Sequence, residues 1–267
     1  LPVQTGCTGR CGFCVEPIVR RGVSSLDPEA AVELVKEAVK LGAKEIYLTG
    51  QDVAAYGVDL GVKLTDLLKR ILEEVDGEYV IRLGMMEPWM AKNFAENLAA
   101  ILKDGRMYKY LHLPLQSGDD EVLKRMGRKY TVAEYKALAA LFRRELGELS
   151  LVTDVIVGYP GETEEAFNNT LKVVEELAFD KVHVARYTFR PFTPAYVERN
   201  VVPEPEKKRR SKLLSQLAAE VAARVNSKYA GRIVKALVTE DRRKPGTLIA
   251  RTLTYKPVVI PEVAKPG

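Results

Sequence analysis

Cysteine is scarce in this chain and confined to one place. Three residues in 267, Cys7, Cys11 and Cys14, fall within one stretch, "CTGRCGFC", and none follows Cys14. An odd number of clustered thiols in a chain of this size excludes a disulfide framework and points to a reducing compartment, so a cytoplasmic location is expected. Long apolar runs are missing as well. No stretch approaches the roughly 18 residues of a membrane helix, and no segment has the pattern of a signal peptide, so no membrane partner is expected. There is no internal repeat and no low-complexity tract. Histidine is nearly absent: His112 and His183 each lie on a strand between apolar neighbours, where packed side chains are expected rather than ligands. The chain starts at Leu1 rather than at a methionine, as expected of a piece of a longer protein.

What is present suits a globular protein with a sizeable core, since 46% of residues are hydrophobic and 29% charged. The charge is unevenly divided. Residues 201–267 hold 15 Lys and Arg against 6 Asp and Glu, whereas residues 1–200 hold 26 against 30. A near-neutral body with a basic C-terminal part suggests contact with a polyanion, a well-solvated surface being the plainer reading.

Short apolar strands alternate with amphipathic helices. The strands read as "LPVQT", "KEIYLTG", "YVIRLG", "YKYLHLP", "LVTDVIVG" and "KVHVARYTF". Helix starts are signalled by Asp27 before Pro28 and by a capping box from Thr131 to Glu134, and further helices are expected near 64–75, near 91–103 and from Thr163 to Ala178. Six such steps in about 190 residues predict a parallel sheet with crossover helices, too few for a closed eight-fold barrel. The expected fold is therefore α/β, a partial (β/α)6 TIM-like barrel over residues 1–200. A helix over 201–228 follows, then a small all-β module over 229–267 with "DRRKPG" as a turn. The "KKRR" run, Lys207 to Arg210, reads as a solvated face. Met85 and Met86 suit a pocket or the core equally.

In parallel α/β folds chemistry gathers at the C-terminal ends of strands. Here those ends carry the cysteine loop, Gly50-Gln51-Asp52, Met85-Met86-Glu87-Pro88, Gln116-Ser117-Gly118, Gly158 to Thr163, and Arg186 leading to Arg190. The cysteines have three readings. A structural zinc site wants four ligands, and neither histidine has finger-like spacing. A redox dithiol at Cys11 and Cys14 lacks a thioredoxin-like context. A [4Fe–4S] cluster held by three thiolates leaves one iron open to chelation, and Gly6, Gly9 and Gly12 would let backbone amides approach it. The third fits the spacing best.

Taken together, C-x3-C-x2-C after the first strand, with the aromatic Phe13 before the last cysteine, resembles the radical S-adenosylmethionine superfamily. "TGQDVAAYG", "YLHLPLQSGDDEVLKRMGRKYT", "TDVIVGYPGETEEAF" and "RPFTPA" resemble the methylthiotransferases that modify tRNA bases. "IRLGMMEP" is most similar to the archaeal and eukaryotic branch acting on N6-threonylcarbamoyladenosine at position 37. The resemblance implies that Cys7, Cys11 and Cys14 ligate a [4Fe–4S] cluster and that S-adenosylmethionine is the second cofactor. It implies that Gly50, Gln51 and Asp52 meet the methionyl amino group and that Gln116, Ser117 and Gly118 sit between cofactor and substrate. Asp154 to Gly158 would line the adenosine side, with Arg128 and Arg190 near anionic groups. The C-terminal module resembles a TRAM domain, so the implied partners are the tRNA anticodon stem-loop and an electron donor such as reduced flavodoxin or ferredoxin, acting on a monomer.

Two departures stand out. The family's N-terminal domain, with three further cysteines for a second, auxiliary [4Fe–4S] cluster, has no counterpart here, so sulfur insertion is expected only of a longer chain. Phe192 stands where the family usually has glycine. Other readings are a methylthiotransferase for another tRNA base or for a ribosomal protein, or an RNA-binding protein whose cluster is only structural.

Overall fold

The computed structural model describes residues 1–20, 22–241 and 246–261, so most of "DRRKPG" lies outside the described residues. The strands are β1 (Gln4–Thr5), β2 (Ser24–Ser25), β3 (Glu45–Leu48), β4 (Val80–Leu83), β5 (Tyr110–His112), β6 (Ser150–Val157), β7 (Lys181–Arg186), β8 (Ala236–Asp241), β9 (Thr247–Thr252) and β10 (Pro257–Pro261). The helices are α1 (Glu16–Val19), α2 (Pro28–Lys40), α3 (Leu64–Glu74), α4 (Pro88–Ala91), α5 (Ala95–Ile101), α6 (Asp120–Arg125), α7 (Val132–Leu146), α8 (Glu164–Leu177) and α9 (Glu204–Ser227). Among the described residues no helix is long and apolar enough to cross a membrane.

The six expected strands are parallel neighbours in the order β1-β3-β4-β5-β6-β7. Ladders join β3 to β4, β5 to β6 and β6 to β7. Single parallel bridges, Pro2 to Thr49, Ile81 to Met107 and Met85 to His112, complete the series. The crossover helices start where local chemistry dictates. Asp27 accepts the amides of Glu29 and Ala30 at 3.0 and 3.1 Å, with Pro28 preset for the first turn. Thr131 and Glu134 form the expected capping box, and the Thr163 hydroxyl caps α8. The segment expected as one helix near 91–103 is instead α4, a 3-10 turn and α5 in succession. The short α1 and α6 have too few residues for a period to show.

Strand alternation sorts the side chains by face. Leu151, Val155 and Val157 of β6 enter the main core with Leu67, Leu68 and Ile71 of α3 and Phe142 of α7. Each such fully buried side chain contributes about 1.5–3 kcal/mol. Asp154 of β6 belongs to the opposite, inner face, which the crossover helices leave bare.

Helix α9 packs against β7, β6 and α8. The "KKRR" run is not a solvated face throughout: Lys207 and Arg210 are 3% and 5% exposed. Lys207 Nζ donates to the Tyr187 carbonyl at 3.1 Å, and Arg210 Nη1 donates to Glu162 Oε2 at 2.7 Å. A helical period brings residues 207 and 210 to one face, and that face turns inward.

Strands β8, β9 and β10 form an antiparallel meander. Its β9–β10 turn enters the barrel between β3, β4 and β5. There the Tyr255 ring meets those of Tyr47, Tyr108 and Tyr110 at centroid distances of 6.2, 4.9 and 5.0 Å. The Arg82 guanidinium stands 5.0, 4.6 and 4.7 Å from the rings of Tyr47, Tyr110 and Tyr255. The Leu253 carbonyl accepts the Lys109 amide at 2.8 Å, and Lys256 pairs with Asp180.

Tyr255→Ala should lower unfolding free energy by about 2 kcal/mol, from lost aromatic burial and cation–π contact, and should expose residues 229–261 to protease. Urea unfolding with limited proteolysis checks both; unchanged cleavage would show that the module docks without this ring.

Candidate functional site

The cysteine loop starts where β1 ends. Gly6 has φ +78°, and a Cβ there would stand 1.8 Å from the Gly22 carbonyl oxygen, so only glycine fits. Its amide donates to Gln51 Oε1 at 2.9 Å, which ties the loop to the end of β3. Gly50 meets Gln4 closely: a Cβ would lie 2.3 Å from its Oε1. The Gly9 amide donates to Cys7 Sγ at 3.2 Å, and a Cβ on Gly9 would stand 3.3 Å from Cys7 Sγ and 3.6 Å from Cys11 Sγ. A bare glycine thus lies between two sulfurs. All three cysteines are free thiols and half-buried. With Thr8, Arg10, Ile18 and Phe192 they line a cavity of about 600 Å³. Phe13 abuts Tyr159 edge-on, the ring centroids 6.4 Å apart.

A buried ion pair backs this loop. Arg128 Nη2 lies 2.7 Å from Glu87 Oε1, with side chains 3% and 8% exposed. Arg128 Nη1 donates to Cys11 Sγ at 3.2 Å and Nε to the Tyr130 hydroxyl at 3.0 Å. Removing one partner of such a pair costs about 3–5 kcal/mol, because the other charge stays buried. Beside it, Asp52 Oδ1 accepts the amides of Ala54 and Glu87 at 3.1 and 2.9 Å, and Oδ2 has no partner among the described residues. Burial pushes the Asp52 carboxyl up to about 6 and, against the pull of Arg128, the Glu87 carboxyl up to about 7. Burial also lifts the Cys7 thiol to about 11, and raises Cys11 although Arg128 opposes it. Metal binding by these thiols therefore releases protons. Glu87 appears in the sequence only as part of a rim segment; its pairing across 41 residues had no local signal.

The other expected positions divide. Gln116 has φ +65° and is tied by backbone to β6, its amide to the Asp154 carbonyl at 2.8 Å and its carbonyl from the Ile156 amide at 3.0 Å. Its buried Oε1 has no partner among the described residues. Ser117 and Gly118 meet α8: Gly118 donates to Thr170 Oγ1 at 2.9 Å, and a Cβ on it would strike Thr170 Cα at 2.5 Å. Gly158, with φ +74°, lies against Lys207 of α9. Arg190 is exposed, and its carbonyl accepts the Thr193 hydroxyl at 2.7 Å. Phe192 has φ +69° and is 86% exposed, a backbone conformation that favours glycine.

The two histidines are not packed among apolar side chains. His112 Nε2 lies 2.9 Å from Asp154 Oδ2, and His183 Nδ1 lies 2.9 Å from Asp154 Oδ1. The rings meet edge-on, their centroids 5.4 Å apart. Burial alone would raise the Asp154 carboxyl, but the hydrogen bonds and charge of the two imidazoles outweigh it and hold it below the ordinary range. Strand alternation puts His112, Asp154 and His183 on the inner face, which the apolar residues next to them in sequence do not share.

Among the described residues this trio is the group of three metal-ligating side chains whose ligand atoms all lie within 4.8 Å. The cysteine sulfurs are set wider, which suits a multinuclear cluster better than one tetrahedral zinc with bonds of about 2.3 Å. The donor set, three thiols with a bare glycine between two of them, fits a [4Fe–4S] group.

Comparison with known proteins agrees. A family model, the Radical SAM superfamily, matches residues 1–174. A probable threonylcarbamoyladenosine tRNA methylthiotransferase of Pyrococcus horikoshii is 41% identical over 265 residues, 99% of this chain and 62% of that protein. A tRNA-2-methylthio-N(6)-dimethylallyladenosine synthase of Fusobacterium nucleatum is 37% identical over 264 residues, 97% of this chain and 60% of that protein. The chain thus spans about three-fifths of these curated relatives. The radical S-adenosylmethionine methyltransferase TsrM of Kitasatospora setae, solved with cobalamin and a [4Fe-4S] cluster, matches with a TM-score of 0.60 over 74% of this chain and 36% of that one. At 19% identity that is a likeness of fold.

The raised carboxyls give a pH dependence of definite sign. Asp52 and Glu87 bind protons more tightly folded than unfolded, so the metal-free chain is favoured at low pH and loses stability as pH rises toward 6 to 7. Asp52→Asn should shrink the stability difference between about pH 5 and pH 8 by on the order of 1–2 kcal/mol. Urea midpoints of both proteins at each pH measure it; equal slopes would place the proton elsewhere.

Proposed function

The chain belongs to the radical SAM superfamily, and on that footing we propose that it is the catalytic and RNA-contacting part of a tRNA methylthiotransferase acting at C2 of N6-threonylcarbamoyladenosine. The observation that carries this reading is the similarity over 99% of the chain to a relative bearing that name, and the three free, half-buried thiols on one loop support it. Cys7, Cys11 and Cys14 would hold three irons. A bound [4Fe–4S] cluster supplies the electron that splits S-adenosylmethionine into methionine and a 5′-deoxyadenosyl radical.

The residues around the loop have matching tasks. Asp52 Oδ2, buried and unpartnered, is an acceptor for the methionyl ammonium, and Gln51 steadies the loop through Gly6. Gln116, held by β6 and with a free buried oxygen, suits the boundary between cofactor and substrate. Arg128 sets a positive charge beside Cys11 while Glu87 fixes its orientation. Phe192, Ile18 and Pro194 give the cavity an apolar wall on one side. The basic surplus after residue 200 serves phosphate contacts with an anticodon stem-loop, the substrate-bearing partner in this reading. A reduced flavodoxin or ferredoxin would supply electrons, in the reducing cytoplasm where free thiols persist. The three cysteines of this sequence are all assigned to one cluster, so sulfur insertion would need an auxiliary cluster held by other residues.

The test is anaerobic reconstitution with iron and sulfide, reduction, and chromatography for 5′-deoxyadenosine. Wild type should bind about four irons per chain and release 5′-deoxyadenosine, and Cys11→Ala should lose both. Full iron loading without product would reduce the cluster to a structural element.

A further inference from the structure

The inner face of the sheet is built in layers, and the middle one has no task in the reading above. Below it the Tyr255 plug and Arg82 fill the barrel at the level of Tyr47 and Tyr110. Above it stand Asp52, Glu87 and Arg128. Between them lie His112, Asp154 and His183, one from each of three adjacent strands. Asp154 uses one carboxylate oxygen on each imidazole. No hydrogen bond among the described residues reaches His112 Nδ1 or His183 Nε2, and His183 is exposed. The trio is therefore a pre-oriented pair of ring nitrogens, open among the described residues, on the inner face of the sheet.

We infer that His112 and His183, aligned by Asp154, read the N6 substituent of the target adenosine and select one bearing N–H, O–H and carboxylate groups over a hydrocarbon. This rests on the reading of the chain as part of a tRNA methylthiotransferase, with the modified adenosine facing the inner side of the sheet. An imidazole that donates one N–H to Asp154 offers its second nitrogen as an acceptor, or as a donor once protonated. A threonylcarbamoyl group supplies partners for both states: urea N–H and hydroxyl donors, and a carboxylate acceptor. A dimethylallyl group supplies none of these and would strip water from the two open ring nitrogens, each left without a replacement. Sites built to hydrogen-bond a substrate group reject the analogue that lacks it far more strongly than apolar pockets reject a polar isostere.

The test is calorimetric binding of three nucleosides to the chain: threonylcarbamoyladenosine, dimethylallyladenosine and adenosine. Wild type should favour the first over the second by about tenfold or more. His183→Leu should cut that ratio to about threefold or less by weakening threonylcarbamoyladenosine alone, and His183→Gln, which keeps hydrogen-bonding capacity, should restore part of it. Circular dichroism confirms that both variants fold. Equal loss for both substituted nucleosides, or an unchanged ratio, overturns the inference while leaving the modified-adenosine reading in place. Failure of wild type to bind any nucleoside overturns both. Zinc binding by a Cys7, Cys11 and Cys14→Ala chain that His183→Leu abolishes would make the trio a metal site and overturn the inference as well.

Discussion

A parallel sheet whose crossover helices cover only one face leaves the other to be satisfied by something else, and the rest of this molecule follows from that constraint. The outer face is ordinary packing: Leu151, Val155 and Val157 against helix side chains. The inner face receives every second residue of the same strands, among them Tyr47, Arg82, Tyr110, His112, Asp154 and His183. Polar groups placed there need partners, and they find them across strands rather than along them. One end is closed by a tyrosine brought from far along the chain, the other opens on the cysteine loop.

The rim shows the same logic at higher electrostatic stakes. A guanidinium buried to the extent of Arg128 needs an anion, and Glu87 supplies it; the same guanidinium then has a donor left for Cys11. Asp52 shares the desolvated space with no cation of its own, which is why both carboxyls hold protons so tightly. Charge balance here is a property of the group, and any occupant that brings a cation or an anion changes it for all three.

Much of the fold was legible because its signals are local. Asp27 before Pro28, the Thr131–Glu134 box and alternating apolar runs each decide structure within a few residues, and six strands in parallel order followed. The cysteine loop was legible for the same reason, since glycines and thiols sit within one turn of chain. What escaped depends on long-range pairing. Lys207 and Arg210 look solvated until Tyr187 and Glu162 arrive from other elements. His112 and His183 look apolar in sequence because neighbours on a strand face the opposite way. Gly118 and Gly158 are rim positions by sequence, and the structure adds close approaches to α8 and α9 that no local pattern encodes.

The Tyr255 turn and the Arg210–Glu162 pair fasten the C-terminal part at two separate places, one on the barrel interior and one on the loop after β6. Two attachments remove the freedom that one hinge would leave. The β8–β10 meander and the inner face of the sheet are then held like the two arms of a caliper. Under the proposed function, a nucleic acid held by the meander would present to the sheet only a nucleotide at a set separation, so position along the strand would be chosen by distance before any base is read.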